Sequence, residues 1–287
     1  MDNANIKKIG VFTLCAMLPM MAIGLFLHYV NAGETVNNVA VLCSMFTPLL
    51  SVAFTQQQFK EPVLKGLGIN FKFSYCWVMG WLLMALLSLA VLGMSLLVPG
   101  AHLSTQVLDQ ITSDAPIKPG MWGFVGVTLV NGLLTGATLN AVAAFGEEVG
   151  WRGFLVKELA GVKFLWAALW IGVLWGLWHF PLILNGHNYP DHPVAGVFMM
   201  VLMCVSASPI FLYFRLKGRS VILPAIIHGT FNAVLPLANV LVQPVNDLMI
   251  GVAGVAGIAT MLLLDAAIFI YDRYISRENL FLRPLQP

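Results

Sequence analysis

The stretch Phe145-Gly-Glu-Glu-Val-Gly-Trp-Arg-Gly-Phe154 places Glu147, Glu148 and Arg152 at the end of a long apolar run. The charged share of the chain is 10%, so three ionisable groups within one short stretch stand out. A charged group at the centre of a bilayer costs ~2.5–3.5 kcal/mol on insertion scales, which makes such a group a functional-site candidate. On a helix, Glu148 and Arg152 share a face at spacing i,i+4. Glu147 points about 100° away from Glu148. One carboxylate is then neutralised by its neighbour and the other is free for a different use.

Working outward, the 287 residues are 59% hydrophobic, with a mean hydropathy of +0.85. That composition lies far above the soluble globular range. The net charge of +2 gives no reason to expect a nucleic-acid partner. Apolar runs of spanning length, about 20 residues, recur near 9–30, 38–55, 75–98, 121–146, 164–185, 194–214, 221–242 and 248–271. They predict an all-α fold, a polytopic transmembrane helical bundle of about eight spanning helices. Residues 1–287 read as one membrane domain whose motif-bearing core is about 121–242. The first run follows Lys7 and Lys8 and lacks a small-x-small cleavage site, so it reads as a retained helix.

Loop charges support the count. Of the 15 basic residues, all except Lys118 fall at the termini or in the even-numbered connections. The positive-inside rule then predicts that both termini are cytoplasmic. The chain reads as a multi-pass protein of a prokaryotic plasma membrane. The connection 56–74 has an apolar pattern consistent with lying on the membrane surface. Cys15, Cys43, Cys76 and Cys204 are isolated and read as small, reduced, buried side chains. Two glycine patterns, Gly132/Gly136 and Gly251/Gly254/Gly257, predict close helix packing. Asn185-Gly-His-Asn-Tyr-Pro-Asp-His192 reads mainly as a turn, with an external metal site as the lesser reading.

Two further polar clusters interrupt apolar helices. Trp175-Gly-Leu-Trp-His179 lies on the fifth, and His228-Gly-Thr-Phe-Asn232 on the seventh. His228 and Asn232 are one turn apart and project together. Asn140 lies two turns before Glu147, on roughly its face. Alone, each cluster is most simply a packing histidine, interhelical amide glue or an interfacial tryptophan. Together, a carboxylate, two imidazoles and an amide are the parts of a water-activating hydrolase: a base, a partner for the water, and oxyanion donors.

The order Glu-Glu-x-x-x-Arg, aromatic-x-x-x-His and His-x-x-x-Asn on successive helices resembles the CPBP family of intramembrane proteases. That family includes type II CAAX prenyl endopeptidases and relatives linked to bacteriocin self-immunity. The residues that match are Glu147, Glu148, Arg152, Trp175, His179, His228 and Asn232. Trp175 stands where many members have Phe. The resemblance implies an endopeptidase cutting near the cytoplasmic half of the bilayer, with a peptide or lipidated peptide as substrate and the lipid bilayer as surroundings. It implies that Glu147 with His179 activates water, that His228 and Asn232 bind the oxyanion, and that Arg152 fixes Glu148. Glu147, His179 and His228 could also form a shell for a single Zn²⁺ with an open position. A metal-free glutamate mechanism uses the same residues, and no His-Glu-x-x-His spacing preorganises zinc.

Two other classes compete with hydrolysis: a non-catalytic immunity or scaffold protein that binds a partner through the same pocket, and an ion-coupled transporter. Against the transporter, the halves show no inverted repeat of Gly/Pro-broken segments. One depth problem also follows from the runs. His179 would lie roughly 22 Å into the fifth helix if that helix starts at Phe164, while Glu147 sits where the fourth run ends. For the clusters to meet, the fourth helix must carry Glu147 further into the bilayer.

Overall fold

The computed structural model describes residues 2–30, 33–116 and 118–286. The helices in chain order are α1 (Asn3–Val30), α2 (Glu34–Ser44), α3 (Thr47–Gln58), α4 (Tyr75–Ser95), α5 (Gln106–Ile111), α6 (Met121–Gly136) and α7 (Leu139–Glu148). A wider π turn, Val149–Phe154, leads into α8 (Leu155–Glu158). Then come α9 (Phe164–Trp178), α10 (Phe180–Ile183), α11 (Pro193–Gly218), α12 (Ile222–Val234), α13 (Leu237–Leu241) and α14 (Val255–Ile270). The sheet among the described residues is one antiparallel pair, β1 (His102–Leu103) with β2 (Val242–Gln243).

The long helices are apolar around most of their circumference, so they cannot sit on a water-facing surface. Leu14, Leu86, Leu134 and Phe198 are all more than half exposed. Such side chains are stable outward only where the solvent is hydrocarbon. Among the described residues, six helical stretches are long and apolar enough to cross a membrane, and a seventh qualifies if the bent pair Met121–Gly136 and Leu139–Glu158 is one span. The polytopic helical bundle therefore stands, but length and composition do not reach the expected eight. The remaining segment, Phe164–Trp178, has 15 residues, short of the ~20 a straight span needs.

The fourth apolar run resolves the depth problem. It does not end near 146. The chain breaks after Gly136, bends by 57° and continues as helix to Glu158. Thr138 at the break has φ −122° and ψ −94°, outside the helical region. Glu147 is thus carried inside the second half of the run, and α9 ends at Trp178, with His179 as its C-cap, instead of continuing to 185.

Within the bundle, α11 packs along α9 and α14, and α12 is flanked by α7, α6 and α4. Glycines set the closest approach, as the Gly132/Gly136 spacing predicts. A Cβ on Gly136 would lie 2.4 Å from Thr230 Cα, and one on Gly229 would lie 2.4 Å from the Gly136 oxygen. Backbone cannot step aside as a flexible side chain can. Gly229→Ala is expected to destabilise by about 1–3 kcal/mol through overpacking. The control Gly93→Ala, with nothing within 4 Å, should be neutral or slightly stabilising. Thermal unfolding of both variants in detergent measures the difference.

Three smaller expectations change. Gly251 and Gly254 precede α14, which begins at Val255, so their spacing is not a helix-packing stripe. Gly251 has φ +76° and lies in the bend before that helix. Cys43 is exposed on α2, where the apolar surroundings are lipid, while Cys76 and Cys204 are buried and Cys15 is intermediate.

The connection 59–74 is anchored and does not simply lie on the surface. Leu67 is fully buried, and Glu61 accepts hydrogen bonds from Lys8 and Lys157. Burial opposes the charge on Glu61, but these bonds outweigh it and hold the carboxyl below its ordinary value. A depressed pKa contributes stability above the unfolded value of 4.5, and that stability is lost as the pH falls through the lower folded value. Glu61→Gln is expected to flatten this acid limb in a pH series of thermal midpoints.

Candidate active site

Glu147 and Glu148 are both buried and immediately precede the π turn. Wider π turns inside α-helices recur at functional sites. Here the turn still allows the i,i+4 contact: Arg152 Nη1 donates to Glu148 Oε1 at 2.9 Å. Arg152 is fully enclosed. Its guanidinium carbon lies 4.4 Å from the ring centre of Trp175 and 4.7 Å from that of Phe211, so two aromatic faces share its charge. His228 Nδ1 lies 2.8 Å from the same Glu148 oxygen. Glu148 is therefore occupied by the arginine that follows α7 and by the histidine of α12. It orients His228 and does not face the cavity described next.

Glu147 is left for the cavity, as the helical geometry anticipates. Trp175 Nε1 donates to its Oε2 at 2.8 Å, and Trp151 Nε1 to the same oxygen at 3.3 Å. Among the described residues no group donates to Oε1, so it can accept a hydrogen bond from a water. His179 Nδ1 is 2.8 Å from the Trp175 carbonyl oxygen. A carbonyl only accepts, so the proton sits on Nδ1 and Nε2 keeps its lone pair. In the same way, the Glu148 carboxylate accepts from His228 Nδ1–H and leaves Nε2 for other partners.

A cavity of about 430 Å³ brings these groups together. Its wall includes Glu147, His179, His228 and Asn232, with Trp175 and Phe231. All three sequence clusters therefore meet at one place, while Glu148 and Arg152 lie behind the wall. Asn140 does not join them; its Nδ2 donates to the Gly229 carbonyl at 3.4 Å and ties α7 to α12.

Several contributors escaped the sequence reading. Trp151 stands four residues after Glu147, a spacing that could have shown it as a partner. Ser208, 3.4 Å from Arg152 Nη2, and Phe211 come from α11, which carries no motif. His187 and Asn188 come from the loop read as a turn, yet they line the cavity. Burial pushes the His187 imidazole below its ordinary value. In the same loop His192 is engaged with Asp247 at 2.6 Å, so the two loop histidines do different things.

The zinc reading fares worse. Among the described residues, no three His, Cys, Asp or Glu side chains gather as a ligand set, either here or in the 185–192 loop. Two indoles already occupy the Glu147 oxygen Oε2. The donor set as arranged does not fit the tetrahedral shell of a catalytic zinc site, which needs three convergent protein ligands.

Residues 128–234 match the family model of type II CAAX prenyl endopeptidase Rce1-like proteins. Over these residues the chain is similar to the Rce1-like proteins. Among curated proteins, the CAAX prenyl protease 2 of Methanococcus maripaludis is 31% identical over 147 residues, 50% of this chain and 51% of the relative. The chain spans about half the length of the curated relative it matches. The matched stretch contains Glu147, Glu148, Arg152, His179, His228 and Asn232, so the site residues singled out by the sequence all lie within it.

Proposed function

We propose that this protein is an intramembrane endopeptidase in which Glu147 activates a water for attack on a peptide carbonyl. One observation carries this: Glu148 absorbs both Arg152 and His228, which leaves Glu147 as a carboxylate without an ion pair among the described residues, on the wall of a cavity shared with His179, His228 and Asn232. The Glu147 Oε1 takes the proton of the attacking water. His179 Nε2, unprotonated, accepts the second hydrogen of that water and orients it. Asn232 Nδ2 and, in its protonated form, His228 Nε2 donate to the oxyanion of the tetrahedral intermediate. Glu147 then passes its proton to the leaving amine.

The relative's name, CAAX prenyl protease 2, points to a prenylated C-terminal peptide as substrate. The test uses the full chain in liposomes with a farnesylated CAAX peptide, the same peptide unprenylated, and a non-CAAX hydrophobic peptide. Cleavage of the farnesylated peptide alone supports both the chemistry and the substrate. Cleavage of the others equally well keeps the chemistry and removes the prenyl assignment. No cleavage of any, by a folded protein, sinks both in favour of a binding role.

Trp175 departs from the common Phe, and here the departure adds a hydrogen bond to the proposed base. A hydrogen bond to a charged group contributes about 1.5–3 kcal/mol. Trp175→Phe is expected to lower kcat by roughly tenfold or more with KM little changed. Steady-state kinetics on the cleaved peptide measures the split. An unchanged kcat would mean that the indole only packs.

A further inference from the structure

A second cavity, of about 930 Å³, lies away from the catalytic wall, between the loop before α4, the end of α11 and the C-terminal segment 278–286. Lys72, Arg215, Lys217, Arg219 and Arg283 line it, with Glu278 as the one acidic side chain among the described lining residues. Glu278 is already used, since it accepts from Lys217 Nζ at 2.5 Å. Among the described residues none of the other four cations has a carboxylate partner.

Positive residues at a membrane face are ordinary when they are solvated. Arg215 is not. It is buried, and its donors go to neutral acceptors: Nε to the Arg152 carbonyl at 2.9 Å and Nη2 to the Leu67 carbonyl at 3.3 Å. The close approach depends on Gly68, where a Cβ would stand 2.3 Å from Arg215 Nη2. A guanidinium removed from water without a counter-charge is costly. An anion reaching the cavity would remove that cost, and guanidinium geometry favours a phosphate.

The height of the cavity narrows the source. α4 starts at Tyr75 and α11 ends at Gly218, so the cavity opens where two spanning helices leave the hydrocarbon. Phe73 and Tyr75 are exposed and sit on its wall, and Phe71 is exposed just before them. Exposed aromatics beside cations at a helix end are what a headgroup layer accommodates. We propose that this cavity binds the phosphate-bearing headgroup of an anionic membrane lipid, with the phosphate held by Lys72, Arg215, Arg219 and Arg283 and the chains leaving past Phe73 and Tyr75. A dissolved phosphate shares the charge but leaves the aromatic rim unused. Because Arg215 also holds the Arg152 carbonyl, the bound lipid braces the π turn behind the active site.

The test is direct binding, so it stands or falls apart from proteolysis. The full chain is purified in neutral detergent and titrated with dioctanoyl-phosphatidylglycerol, dioctanoyl-phosphatidylcholine or inorganic phosphate. Native mass spectrometry reads stoichiometry, and thermal unfolding reads the brace. The expected result is one phosphatidylglycerol bound tightly, a raised thermal midpoint, and little effect of the other two probes. The variant Lys72→Gln/Arg219→Asn/Arg283→Gln changes exposed residues and leaves Arg215 in place. Asn suits the φ of +49° at position 219. At roughly fivefold for each cation near a charged headgroup, the triple change should weaken phosphatidylglycerol binding about a hundredfold. Absence of bound phosphatidylglycerol, equal binding of phosphatidylcholine, or an unchanged affinity in a folded triple variant overturns the site. Inorganic phosphate matching the lipid at equal concentration overturns the lipid assignment.

Discussion

Glu147→Gln is expected to reduce peptide hydrolysis by about 10²–10⁴-fold, the range that a positioned general base supplies, while the protein stays folded. Gln keeps the volume and an amide oxygen that can still accept from Trp175 and Trp151, so the wall of the cavity is preserved. What it loses is the ability to take a proton from water. The expected signature is a fall in kcat with little change in KM, because a peptide in the cavity is bound by the rest of the wall. Quantitative profiling of protein termini in membranes carrying the wild type or Glu147→Gln, at matched expression, gives the same comparison in cells. Termini that disappear in the variant are the products. If the termini are identical while loss of the protein still has a phenotype, the protein works by binding and not by hydrolysis. Glu147→Asp is an informative contrast, since it keeps the base but draws it back by one methylene from both indoles.

The second large effect is on stability. Arg152→Met should destabilise by about 3–5 kcal/mol, because it leaves Glu148 buried with its charge uncompensated. Both members of the pair are fully enclosed, so water cannot replace the lost partner. The variant also removes the cation held between Trp175 and Phe211. Glu148→Gln combined with Arg152→Met should recover much of that loss, since a neutral amide can still accept from His228 Nδ1–H. Chemical or thermal unfolding of the single and double variants in detergent forms the cycle. A single variant as stable as the wild type would show that the buried Glu148 charge does not depend on Arg152 for the stability of the fold. Activity should not return in the double variant to the same degree, because the charge behind His228 is then gone.

These two residues also show how far the sequence reaches. The i,i+4 spacing of Glu148 and Arg152 is a local property of a helix, so the ion pair and the separate direction of Glu147 could be read without a tertiary structure. The same holds for His228 and Asn232, one turn apart. The multi-pass helical class followed from hydrophobicity alone, because a bilayer accepts few other ways to satisfy backbone groups. The break at 136–138 was less visible: it sits within a continuous apolar run, and hydropathy does not register a bend that is compensated by packing on α12. The short α9 was hidden for the same reason, since Phe180–Ile183 continue the apolar composition after α9 has ended.

The sequence by itself determined the chemistry available to this protein: which side chains are ionisable in an apolar setting, and which of them share a helical face. Only the tertiary structure decided how they are divided. Glu148 receives both Arg152 and His228, Glu147 receives two indoles, and Arg215 from a motif-free helix reaches the Arg152 carbonyl. Most of those contacts join residues far apart in the chain. They depend on the distances at which helices pack, and no periodicity within a single helix encodes those distances.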